Sequence, residues 1–140
     1  GENITGFIRQ EAVGNMASAT SVYPVVREKL VELQRQLAAR ENVVMDGRDI
    51  GTVVLPDANV KIFLTASSKV RAKRRFDELT AKGESCDIDA IEKDIIERDH
   101  RDMTRETSPL KQADDAVLLD SSDMTIDEVV DKMKQLVKEA

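Results

Sequence analysis

Val60-Lys61-Ile62-Phe63-Leu64-Thr65-Ala66-Ser67-Ser68 is the stretch whose reading decides the fold class. Its first part, rich in β-branched and aromatic residues, reads as a strand buried on both faces, as strands of parallel sheets are. Ser67 or Ser68 then caps a helix predicted to run to about Lys82, where Gly83 stops it. A buried strand feeding an amphipathic helix is the repeating unit of an α/β fold. On the C-terminal side, Asp87 or Asp89 caps a helix that runs through Ile91, Ile95 and Ile96 toward Met103, and Pro109 marks a loop. Ala116-Val117-Leu118-Leu119-Asp120 reads as another buried strand, and Thr125 starts a closing helix carrying Ile126, Val129, Val130, Met133, Leu136 and Val137. On the N-terminal side, Asn42-Val43-Val44-Met45 reads as a short strand ending at the Asp46-Gly47 turn. Thr52-Val53-Val54-Leu55 could be a strand or a turn of helix. Pro24 opens a helix from Val25 to about Ala39, with Val26, Leu30, Leu33 and Leu37 at helical spacing, and Arg9 to about Val22 has a looser helical pattern.

The expected architecture is therefore a parallel sheet flanked by helices, with ligands collecting at the carboxyl ends of the strands. Those ends read Asp46-Gly47-Arg48-Asp49, Thr65-Ala66-Ser67-Ser68 and Asp120-Ser121-Ser122, all polar. A chain of 140 residues makes about one domain, and 3% aromatic residues leave the core to Val, Ile, Leu, Ala and Met. The net charge of -6 argues against a nucleic-acid binder and leaves a nucleotide binder open. Cys86 is the only cysteine, so no intrachain disulfide forms. No apolar run reaches transmembrane length, and the first residues carry no signal-peptide pattern and no initiator Met. These features lead to the expectation of a cytoplasmic protein met as a fragment.

Three segments could carry chemistry. Asp46 at the end of a strand can hold magnesium through water, and neighbouring Arg48 offers a planar fork to a phosphate. The plainer reading is an Asp-Gly turn with a local ion pair. Arg71, Arg74 and Arg75 share one helical face with Lys69 and Lys73 close by, a crowd of like charges that an anionic ligand would relieve. A solvated helical face is the plainer reading there. Arg98, Asp102 and Arg105 also share a face, and an ordinary helical ion pair accounts for the first two. His100, the only histidine, reads as a surface residue, and Cys86 has no neighbour to activate it. No Gly-x-x-x-x-Gly-Lys-Ser/Thr phosphate loop is present: none of the six glycines precedes a lysine.

Asp46-Gly47-Arg48-Asp49-Ile50-Gly51-Thr52-Val53-Val54-Leu55-Pro56-Asp57-Ala58 resembles the signature segment of the bacterial cytidylate kinases, P-loop nucleoside monophosphate kinases. The resemblance continues in order through Lys61-Ile62-Phe63-Leu64, Ala66-Ser67, the three arginines, Glu97-Arg98-Asp99 to Arg105, and Ala113-Asp114-Asp115-Ala116. Upstream, Ile8-Arg9 through Ser18, then Pro24 and Val26-Arg27-Glu28, match the family's pyrimidine-binding insert. The resemblance implies transfer of the terminal phosphate of ATP to CMP or dCMP, with magnesium. It implies that Ser18, Arg27 and Asp49 contact the cytosine, that Arg48 and Arg105 clamp the CMP phosphate, and that Arg98 and Asp102 hold the ribose. Arg71, Arg74 and Arg75 would belong to a mobile lid that neutralises the transferring phosphoryl group together with Arg105, and Asp46 would sit near the magnesium.

The departure from the family is the phosphate loop with its strand, which would precede Gly1. Residues 1–40 are then the end of the CMP-binding insert and the helix after it, and residues 41–140 the rest of the kinase core, with the lid at about 67–105. The family's strand order places the strands near Asn42 and Val60 on either side of the absent strand. The isolated chain is expected to be inactive, and its sheet edges are open to pairing with another chain, whereas the whole protein is expected to be a monomer. Three other readings compete: a non-catalytic CMP-binding module, one module of a fusion protein, and another nucleoside monophosphate kinase, against which the insert carrying Ser18 and Arg27 argues.

Overall fold

In the computed structural model, residues 3, 5–8, 11–20 and 23–140 are described, apart from the side chains of Glu11, Asn15 and Ser18. The chain divides into two units, Gly1–Met45 and Asp46–Ala140.

The first unit contains α1 (Glu11–Thr20) and α2 (Pro24–Ala38). The ends of the helix expected from Arg9 to Val22 lie outside the described residues. Pro24 occupies the first turn of α2, where its missing N–H costs nothing. Val26, Leu30, Leu33 and Leu37 are all exposed, while Arg27, Val31, Gln34 and Ala38 turn to a less accessible side.

The strand expected at residues 42–46 is not formed. These residues are neither helix nor strand, and the Val44 side chain is fully exposed. A short β-branched segment becomes a strand only beside another backbone, and among the described residues none pairs with it.

In the second unit, the ambiguous apolar stretch forms a single π-type turn, Ile50–Val54, closed by Leu55 N–H donating to the Ile50 carbonyl at 2.7 Å. Gly47 stands where the chain enters this turn. A Cβ there would lie 2.8 Å from Ile50 Cγ1, so a larger residue would have to push the isoleucine aside. β1 (Ile62–Thr65) and β2 (Val117–Asp120) form a parallel pair, with Ile62 opposite Val117 and Thr65 opposite Asp120. Among the described residues the sheet has these two strands only. Leu64, Val117 and Leu118 are about half exposed, although such runs belong to strands covered on both faces.

The helix ends follow the sequence closely. α3 (Ser68–Ala81) is capped by Ser67, whose hydroxyl accepts from Val70 N–H at 3.3 Å, and Gly83 follows the helix with φ of 79°. α4 (Ile88–Thr104) is capped by Asp87, which accepts from the N–H groups of Asp89 and Ala90 at 2.8 and 3.1 Å. α3 packs on α4 more extensively than any other two helices among the described residues. The buried apolar residues are Val54 of the π-turn, Ala66 after β1, Ala72 of α3 and Leu119 of β2.

α5 (Ile126–Glu139) begins with a capping box. Glu128 N–H donates to the Thr125 hydroxyl, and the Glu128 carboxylate accepts from Thr125 N–H at 2.8 Å. The Thr125 backbone N–H, and after it the Thr125 hydroxyl, hold the Glu128 carboxyl below its usual range. A folded-state pKa below the unfolded value means the cap stabilises above the unfolded pKa and stops doing so as pH falls through the folded one. Glu128→Gln is therefore expected to reduce α5 helicity at neutral pH. The difference from the parent in circular dichroism should vanish once acid has protonated Glu128; a gap unchanged down to acid pH would contradict the cap's role.

Candidate functional site

The carboxyl ends of the two strands are laced together. Ser121 N–H donates to the Thr65 carbonyl at 2.8 Å, the Ser121 hydroxyl donates to the same carbonyl at 3.0 Å, and Ser67 N–H donates to Ser122 Oγ at 3.0 Å. Asp120 accepts from the Ser122 hydroxyl at 2.6 Å, and that contact holds its carboxyl below the ordinary range. Two of the three polar strand ends singled out in the sequence thus meet, and their polar groups satisfy one another.

The third, Asp46-Gly47-Arg48-Asp49, leads into the π-turn. Asp46 is exposed at its head, whereas Asp49 is buried, with 8% of its surface accessible. The Asp49 carbonyl takes the Val53 N–H at 2.8 Å, so the turn itself places this carboxylate. Arg48 reaches α4, where its Nε lies 2.9 Å from Asp102 Oδ2.

Asp102 is the hub of the unit's charges. Besides Arg48, its Oδ2 is 4.0 Å from Arg98 Nε, and its Oδ1 is 3.9 Å from Arg105 Nη1. Only 15% of the Asp102 side chain is exposed, and Oδ2 is buried without an aligned hydrogen-bond donor despite its close cation. One carboxylate among three guanidinium groups leaves an excess of positive charge, which suits a dianionic phosphate. Arg105 is set by the loop beyond α4. Its Nε donates to the Ser108 carbonyl at 2.7 Å, with Ser108 at φ of 50°, and Leu110 N–H donates to the Asp102 carbonyl at 2.7 Å.

The arginines of α3 have partners within the protein. Arg71 donates through Nη1 to Asp99 Oδ1 at 3.1 Å and through Nη2 to Asp99 Oδ2. This hydrogen-bonded pairing raises the already high pKa of the guanidinium against the opposing effect of its burial. Arg74 Nη2 donates to the Ser121 carbonyl at 2.6 Å and to the Met124 carbonyl at 3.2 Å, tying α3 to the end of β2. Arg75 Nη1 pairs with Glu78 at 3.0 Å, both half exposed, and Lys73 pairs with Asp77 at 2.6 Å. Asp77 and Glu78, four and three residues on, were readable as partners; Asp99, 28 positions from Arg71, was not.

The structure therefore brings together Arg48, Arg98, Asp102 and Arg105, and places Asp49 one residue from Arg48. Arg27 is half-buried on α2, in the first unit, and Ser18 lies on α1 with its side chain outside the described residues. His100 is exposed, as expected, and Cys86 is partly buried near Thr80 and the Phe76 carbonyl. Sequence reasoning gave no role to Asp99, to Glu92, which accepts from the Ser68 hydroxyl at 2.7 Å, or to Lys61, whose nearly buried ammonium pairs with Asp115 at 2.6 Å. The Lys61 contact holds the Asp115 carboxyl below its usual range. No group of three or more His, Cys, Asp or Glu side chains able to cage a metal occurs among the described residues. A lone exposed carboxylate such as Asp46 fits a magnesium ion that keeps its waters and takes its other ligands from phosphates.

Residues 1–139 match the family model described as cytidylate kinase. The chain belongs to the cytidylate kinase family. The proteins called cytidylate kinase in Streptococcus pneumoniae strains JJA and 70585 are each 54% identical to it over 132 residues. That alignment takes in 94% of this chain and 59% of each relative, so the chain spans well under two thirds of the cytidylate kinases it matches. No helix among the described residues is long and apolar enough to cross a membrane.

Proposed function

We propose that this chain is the acceptor-and-lid part of a cytidylate kinase that moves the terminal phosphate of ATP to CMP or dCMP. In the reaction an oxygen of the CMP phosphate attacks the terminal phosphorus as the bond to the ADP oxygen breaks. The observation that carries the reading is Asp102 held among Arg48, Arg98 and Arg105 on a family-matched scaffold. Arg48 and Arg105 clamp the CMP phosphate, while Arg98 and Asp102 hold the ribose. Asp49, with Arg27 and Ser18, reads the cytosine ring: the carboxylate accepts from the exocyclic amine and the guanidinium donates to the ring acceptors. Asp46 holds the magnesium through water, and that ion neutralises phosphate charge when bound.

Within the lid cluster, Arg75 reaches the transferring group, because an exposed pair with Glu78 is exchanged for a phosphate at little cost. Arg71 and Arg74, tied to Asp99 and to main-chain carbonyls, shape the lid. The reading makes the whole protein a cytoplasmic monomer. It makes this chain alone inactive, since nothing in its sequence cradles the ATP phosphates.

Calorimetry of CMP, dCMP, UMP and AMP, with coupled turnover assays, tests this on the chain and on a version extended to the relatives' full length. The extended protein is expected to prefer CMP and dCMP and to turn over, and the chain alone to show no turnover. Absence of any CMP preference in the extended protein would sink the assignment.

A further inference from the structure

We propose that Asp99 is a positioning residue for CMP binding, acting through Arg71 to fix the rotation of α4; this rests on the acceptor-site reading of Asp102 and its arginines. Asp99 and Asp102 lie three residues apart on α4 and face the same side. They are the sheltered acidic residues of that stretch, with side chains 21% and 15% exposed, whereas Glu97 is 59% and Arg98 61% exposed.

Each is held from a different element. Arg71 of α3 presents both terminal nitrogens to the two oxygens of Asp99, and one turn later Arg48, from the segment before the π-turn, meets Asp102. A two-pronged guanidinium–carboxylate pair constrains orientation as well as distance. A carboxylate on a helix sits about 5 Å from the axis, so a rotation of about 10° carries it about 1 Å. Displacement of that size is enough to spoil a binding constellation.

Arg71 itself is committed to this contact. It lies in the first turns of α3, where a cation opposes the helix dipole, and a carboxylate partner offsets that cost. Its two terminal nitrogens are taken by Asp99 and its Nε is buried without a partner, which leaves no fork open to a nucleotide phosphate.

The test is steady-state kinetics of the full-length kinase carrying Asp99→Asn, Arg71→Lys, both together, or the exchange Arg71→Asp with Asp99→Arg. Asp99→Asn is expected to raise KM for CMP about tenfold, with KM for ATP and kcat at saturation within about twofold of the parent, and Arg71→Lys, at a residue that also shapes the lid, is expected to raise KM for CMP by a similar factor. The double variant should be no worse than the weaker single one, and the exchange should recover part of the CMP affinity. The inference is overturned if Asp99→Asn leaves KM for CMP unchanged, if Arg71→Lys acts on KM for ATP instead, or if both Michaelis constants rise alike with a lowered Tm. Asp102→Ala separates the two levels. If it spares KM for CMP, the acceptor-site reading fails. If it raises KM for CMP while Asp99→Asn does not, the positioning role alone fails.

Discussion

Asp102→Ala is expected to lower kcat/KM for CMP about 10²–10³-fold in the full-length kinase, while KM for ATP stays near its parent value. The carboxylate sits among Arg48, Arg98 and Arg105, and its removal leaves three guanidinium groups with no shared counter-ion, of which, among the described residues, Arg105 alone keeps a hydrogen bond, to the Ser108 carbonyl. The variant should also lose stability. A fully buried pair broken from one side costs about 3–5 kcal/mol. Here Arg48 is 39% and Arg98 61% exposed, so solvent screens the stranded charges and a loss of about 2 kcal/mol is the better expectation. Asp102→Asn keeps the shape without the charge and should fall between. Thermal melts separate the stability effect from the kinetic one. If Asp102→Ala melted early yet kept its CMP kinetics, Asp102 would be a structural ion pair and nothing more.

The second large effect concerns the base. Asp49→Ala and Arg27→Met are expected to weaken CMP by about 10–100-fold each, as loss of a hydrogen bond to a charged group does, while AMP changes by less than about threefold. Asp49 is buried, so under the proposed base-reading role its carboxylate would be poorly served by water and would discriminate strongly between an amine donor and a carbonyl acceptor on the ring. Asp49→Ala should for the same reason narrow the gap between CMP and UMP. Calorimetry with the four monophosphates reads this directly. Equal losses for CMP and AMP would mean that the two residues support the fold rather than read the base.

Much of the fold was legible because it rests on local rules. Ser67, Asp87 and Thr125 cap helices where hydroxyl and carboxylate side chains reach backbone N–H groups two or three residues on, and Gly83 follows α3 because a φ of 79° is adopted without cost by a residue that has no Cβ. β1 and β2 were readable as apolar runs too short for helices. Residues 42–46 were not, since strand propensity is realised only beside a pairing backbone. The stretch 52–55 stayed ambiguous for a related reason: four apolar residues suit either a strand or a turn, and the bonds to the Asp49 and Ile50 carbonyls chose the turn.

The site divides along the same line. Sequence alone determined that Arg98, Asp102 and Arg105 share a face of one helix, because helical periodicity is local, and that their order with the Asp46–Ala58 segment is that of a cytidylate kinase. Tertiary structure decided the rest. It brought Arg48 to Asp102 across more than fifty residues, gave Arg74 to the carbonyls at the end of β2, and paired Arg71 with Asp99. A crowd of arginines on one helix states only that positive charge must be compensated. Which carboxylate compensates it depends on which helices pack together, and that is settled by burial of residues such as Ala72 and Val54, not by the charges themselves.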